Sequence, residues 1–89
     1  MSTYEKLRQH ALRTGDPPHS LANKLADMLG VELTQKVVVA GFKRAFPSLP
    51  LPVLLEAGGW HRVSDGDMPD SEFDALLGEL IAMDLAGGG

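Results

Sequence analysis

A chain of 89 residues without cysteine must draw any chemistry from histidines, carboxylates, hydroxyls and a few cations. The missing cysteine removes disulfides, thiol catalysis and thiolate metal sites together. His10, His19 and His61 are the three histidines. They are far apart in sequence and none sits in an HExxH-type pair, so a shared metal would need three separate elements to converge. The spacing favours three independent histidines, with no resident metal or cofactor. Asp65, Asp67, Asp70 and Glu72 look at first like a calcium loop. With Asp65 as position 1, however, position 5 is Pro69 and position 6, where such a loop needs glycine, is Asp70. A turn followed by an acidic helix start accounts for the same residues. Ser2, Ser20, Ser48, Ser64 and Ser71 lie outside any nucleophile-elbow pattern. No two carboxylates share an apolar setting that would separate their proton affinities. Gly58-Gly59 reads as a helix end rather than a phosphate loop. The expectation is a protein that is not an enzyme.

What remains is a set of residues suited to contact. Asp65, Asp67, Asp70, Glu72 and Asp74 fall within ten residues that contain no Lys or Arg. Capping of a following helix accounts for one or two of them. Trp60 and Arg62 precede them, and Trp and Arg are the types most often found at binding hot spots. Trp60, Arg62, Asp65, Asp67, Asp70, Glu72 and Asp74 therefore form the candidate partner-binding set. The competing reading of Trp60, the only tryptophan, is that it folds back to plug one end of the domain.

The charge distribution agrees with such a surface. Residues 1–46 carry seven Lys/Arg against four Asp/Glu, and residues 47–89 carry one (Arg62) against eight. The halves are thus +3 and −7 within a net charge of −4. A dipolar chain of this kind can meet a basic partner through its acidic half, or pair head to tail with itself as a homo-oligomer. The N-terminal residues have no apolar signal core, and the longest apolar run, Val37 to Phe42, is far short of the roughly 20 residues that span a bilayer. A cytoplasmic location without membrane contact is the expectation.

The elements that would position these residues read as helices. Tyr4, Leu7 and Ala11 recur at helical spacing over 3–13, with Gly15 as the stop. Leu21, Leu25, Met28 and Leu29 form a stripe over 20–29, starting at His19 or Ser20 and ending at Gly30. From Glu32 to Phe46 apolar residues cover most of the circumference, which marks a buried central helix. Val37-Val38-Val39 has strand propensity, but the length and flanks favour helix. Pro47, Pro50 and Pro52 break the chain, and a short helix over 52–57 follows. A last helix runs from Pro69 or Asp70 to Asp84, with Phe73, Leu76, Leu77, Leu80, Ile81 and Met83 on one face. The fold expected is an all-α compact bundle of four to five helices with a central buried third helix. It forms one domain over residues 1–86, and 87–89 form a flexible glycine tail.

The segment from Leu21 to Ala45 resembles the helix-turn-helix motif of DNA-binding repressors. Ala26 and Gly30 are four apart, with glycine at the turn and Val31 after it. The resemblance implies a transcription regulator that reads DNA with the third helix. Two features oppose it. Lys36 stands where an apolar residue is expected six after the turn glycine, and the third helix keeps only a narrow charged sector around Glu32, Lys36 and Lys43. The acidic second half also repels phosphates. The leading expectation is a small non-enzymatic protein-interaction module — an adaptor, a regulator or an immunity-type inhibitor — with nucleic-acid binding as the alternative.

Overall fold

The computed structural model describes residues 2–63 and 66–87. Five helices follow in order: α1 (Thr3–Thr14), α2 (Pro18–Leu29), α3 (Gln35–Ala45), α4 (Leu51–Ala57) and α5 (Asp70–Ala86). No strand occurs among the described residues, and the valine triplet is helical. The only sheet-like feature among them is a parallel bridge between Trp60 and Met68. None of the helices is long and apolar enough to cross a membrane.

Local chemistry explains the boundaries. Ser2 begins α1 as its Oγ accepts from the Glu5 amide at 3.2 Å, and Thr34 does the same for α3 through the Val37 amide at 3.2 Å. That cap places the start of α3 at Gln35, three residues later than Glu32. α2 starts earlier than expected, because Pro18 supplies a pre-set φ and has no amide hydrogen to leave unsatisfied at N1. Gly15 and Gly30 close α1 and α2 at φ 67°, where a Cβ would be strained. α5 continues to Ala86 and is closed by Gly87, whose amide donates to the Met83 carbonyl at 2.9 Å. Gly88 and Gly89, the rest of the expected tail, lie outside the described residues.

α2 packs against α1, α3 and α5, while α3 packs against α1, α2 and α4, and α4 also meets α5. The core is built from Leu7, Leu21, Leu25, Val38, Phe42, Phe46, Leu49, Leu54, Trp60, Phe73 and Leu77. Phe42 lies at its middle, edge-on to Phe46 at 5.8 Å and tilted against Phe73 at 6.3 Å. α3 buries one face, Val38, Gly41, Phe42 and Ala45, while Lys36, Ala40, Lys43 and Arg44 face solvent. Val37 and Val39 flank the buried face, so the nearly continuous apolar circumference reflects one wide face rather than full enclosure.

The inward face of α5 also differs from its expected stripe. Asp84 is buried at 4% exposure, and Met83 is 63% exposed. At about 100° per residue, Asp84 lies within about 20° of Phe73, and Met83 about 80° away. The helix therefore directs a carboxylate inward. Ser48 donates to it through its amide (3.1 Å) and its hydroxyl, and Arg8 through a guanidinium nitrogen. Arg8 also reaches the Asp84 carbonyl at 3.1 Å and the Ala45 carbonyl at 3.0 Å. One buried ion pair thus joins α1, the end of α3, the proline-rich link and α5.

Candidate partner-binding surface

The expected contact residues sit where the link after α4 meets the first two turns of α5. Gly58 and Gly59 end α4, and the chain then folds back so that the His61 amide donates to the Met68 carbonyl at 2.9 Å. Gly66 passes against the Gly59 carbonyl so closely that a Cβ would lie 2.1 Å from its oxygen. Only glycine fits there without a backbone shift. This packing holds Trp60 in place.

Trp60 is completely buried, which removes it from the candidate contact surface. Its ring stacks on Phe73 with centroids 4.1 Å apart and planes 16° from parallel. The apolar bulk of a sole tryptophan closes this end of the core, and its one polar atom finds a buried-side partner, since Nε1 donates to Asp70 Oδ1 at 2.7 Å. His61 Nε2 lies 3.0 Å from the same oxygen. The Trp60 hydrogen bond above all, helped by His61 and the positive influence of His19, holds the Asp70 carboxyl below the ordinary value against a desolvation cost.

Asp74 has a different structural duty. Its Oδ1 accepts from the His19 backbone amide at 2.8 Å, and its Oδ2 lies 2.7 Å from His19 Nδ1. His19 is in the first turn of α2, whose own N-cap, Pro17, has no side-chain acceptor to offer. The carboxylate on α5 therefore satisfies an orphan amide of α2 and faces the positive end of its dipole.

Two of the five acidic residues are thus part of the scaffold. Asp67 and Glu72 are exposed and form no ion pair among the described residues, and Asp65 lies outside the described residues. Arg62 is exposed, with Nη2 3.4 Å from Asn23 Oδ1. What reaches solvent is an edge formed by Asp67, Glu72 and Arg62, with Asp70 half-exposed behind it.

Every histidine has a carboxylate neighbour, the third pair being His10 Nε2 with Asp16 Oδ2 at 2.8 Å. The pairs are separate, and no three His, Asp or Glu side chains among the described residues converge as a metal site would require. The Asp84 cluster was not visible as a site in sequence. Its one signal was an aspartate in phase with Phe73, Leu77 and Ile81. Burial is the largest influence on Asp84 and opposes ionisation. The donors on Ser48 and the Arg8 charge outweigh it and hold the carboxyl below the ordinary value. Comparison with protein-family models, curated proteins and solved structures finds no match to the chain.

Proposed function

We propose that this protein is a small non-enzymatic protein-interaction module, an adaptor, regulator or immunity-type inhibitor, that meets a basic protein partner through the Asp67–Glu72 edge. The observation that carries the reading is the division of labour within the acidic run. Asp70 and Asp74 are engaged by Trp60, His61 and His19, so folding accounts for them. Asp67 and Glu72 remain exposed without a cation among the described residues, and folding does not account for both. Acidic groups at such an edge steer a basic partner by raising its association rate, an effect that salt screens. The cysteine-free composition fits a cytoplasmic setting.

Charge reversal tests this reading. In the Asp67→Lys, Glu72→Lys double variant the scaffold bonds of Asp70 and Asp74 stay intact, so the fold is expected to persist. Association with a captured basic partner should slow at least tenfold and lose its salt dependence. An unchanged rate would assign the edge to solvation alone.

A second reading, DNA binding through residues 21–45, draws on the solvent face of α3, where Gln35, Lys36, Lys43 and Arg44 are exposed without an acid among them. One of these cations is already engaged, and a second is stacked on a ring. Lys43 Nζ donates to the Pro47 and Leu49 carbonyls at 2.9 and 2.8 Å, and Arg44 lies over the Tyr4 ring at 5.4 Å. Few phosphate contacts remain, which ranks this reading second.

A further inference from the structure

A cleft of about 200 Å³ lies on a part of the molecule separate from the acidic edge, between the start of α1 and the end of α3. Tyr4, Glu5 and Arg8 line it from α1, and Arg44, Ala45 and Pro47 from the other side. We propose that this cleft binds a single planar apolar group that carries one carboxylate.

Arg8 supplies the polar side of the cleft. Its guanidinium is fixed by the Asp84 carboxylate and by the Ala45 and Asp84 carbonyls. Those bonds use three of its five N–H groups, both on Nη1 and one on Nη2. The Nε hydrogen and the second Nη2 hydrogen have no partner among the described residues. A guanidinium held by its far side presents its remaining donors at little further cost in side-chain entropy, and two parallel N–H groups match a carboxylate. Arg44 supplies a second cation, held over the Tyr4 ring at 5.4 Å.

The apolar side consists of the Tyr4 ring, Pro47 and Ala45. A flat hydrocarbon body against the tyrosine and the proline would cover both, above Ala45, which is already buried. Size then limits the occupant. Drug-sized and cofactor sites run from roughly 300 to 1,000 Å³, so a cleft of this volume takes one ring or one side chain. Charge limits it further. Asp84 compensates Arg8 and Glu5 balances Arg44, so the four groups sum to zero. With no net positive field, an anion without an apolar body, such as phosphate, has little to hold it, whereas a single carboxylate pairs with the guanidinium edge while its body stays on the apolar wall. Two sources offer this chemistry, a free aryl carboxylate and the C-terminal residue of a peptide that ends in an aromatic side chain.

The test is a titration of the full ¹⁵N-labelled chain, followed through its amide resonances, with four probes: 3-phenylpropanoate, N-acetylphenylalanine, N-acetylphenylalanine amide and inorganic phosphate. Both carboxylates should give saturable shifts centred on Tyr4, Glu5, Arg8, Arg44 and Ala45. The amide should bind at least tenfold more weakly. Tighter binding of N-acetylphenylalanine points to a peptide C-terminus, and tighter binding of 3-phenylpropanoate to a free small molecule. Arg44→Gln, an exposed position that leaves the Arg8–Asp84 pair in place, should weaken both carboxylates at least tenfold while the rest of the spectrum is unchanged. The proposal fails if neither carboxylate saturates, if the amide binds as well as the acids, if phosphate produces the same shifts with equal affinity, or if Arg44→Gln binds normally.

Discussion

Asp74 caps α2 from 55 residues further along the chain than His19, accepting the His19 amide at 2.8 Å and facing the His19 ring at 2.7 Å. The contact fastens the first turn of α2 to α5 where Pro17 cannot cap. Asp74→Ala should lower stability by about 1–2 kcal/mol, the usual cost of a lost N-cap. Asp74→Asn should cost less, because its amide oxygen can still accept. Urea unfolding of the three proteins measures this, and equal midpoints would show that the contact adds nothing.

Asp84 and Asp70 should both make the fold less stable in acid. Both carboxyls are held below the ordinary aspartate value when folded. Each therefore contributes stability that is fully present above that value and is lost as pH falls through the lower folded value. Unfolding midpoints should hold steady down to about pH 4 and then drop. Asp84→Asn should flatten that acid slope. Asp84→Ala leaves the part-buried Arg8 guanidinium without its carboxylate and should cost up to about 3–5 kcal/mol at neutral pH. A loss below about 1 kcal/mol would mean that Arg8 escapes to water.

Trp60 and Phe42 hold the two halves of the core together, through Phe73 in both cases. Phe42→Ala and Trp60→Ala should each cost about 3–5 kcal/mol. Trp60→Phe keeps most of the stacking and loses the Asp70 hydrogen bond, so it should cost clearly less than Trp60→Ala. Tryptophan fluorescence offers an independent check: the emission should be blue-shifted in the native state and move red on unfolding. Water-like emission before unfolding would contradict the buried ring.

DNA affinity should be weak. With Lys43 engaged and the second half of the chain acidic, binding to mixed duplexes should lie at or beyond the non-specific range of about 10⁻⁴–10⁻⁶ M. Nanomolar, sequence-selective binding in a gel shift would reverse the order of the two functional readings and direct attention to Gln35, Lys36 and Lys43.

The helical build was legible in sequence because periodicity, the stop glycines and the prolines are local signals. Helix starts were less so. Pro18 and Thr34 set them by backbone and capping chemistry, which competed with the apolar pattern around His19 and Glu32. The acidic run was legible as a feature but not in its division of labour. Asp74 and Asp70 look identical to Asp67 along the chain, and only the approach of His19 and Trp60 separates them. Trp60 itself joined the core because its indole could stack on Phe73 and still satisfy its N–H. The Arg8–Asp84–Ser48 cluster spans 76 residues, and no local signal announced it beyond the helical phase of Asp84.

Site-specific photo-crosslinking in the native host tests the interaction account most directly. A photoreactive amino acid is placed at Asp67 in one variant and at Lys36, on the outer face of α3, in another. A discrete adduct is expected from position 67 with a protein rich in Lys and Arg, lost when Glu72 is replaced by lysine, and no comparable adduct from position 36. An adduct that forms from position 36 while position 67 stays silent would contradict it.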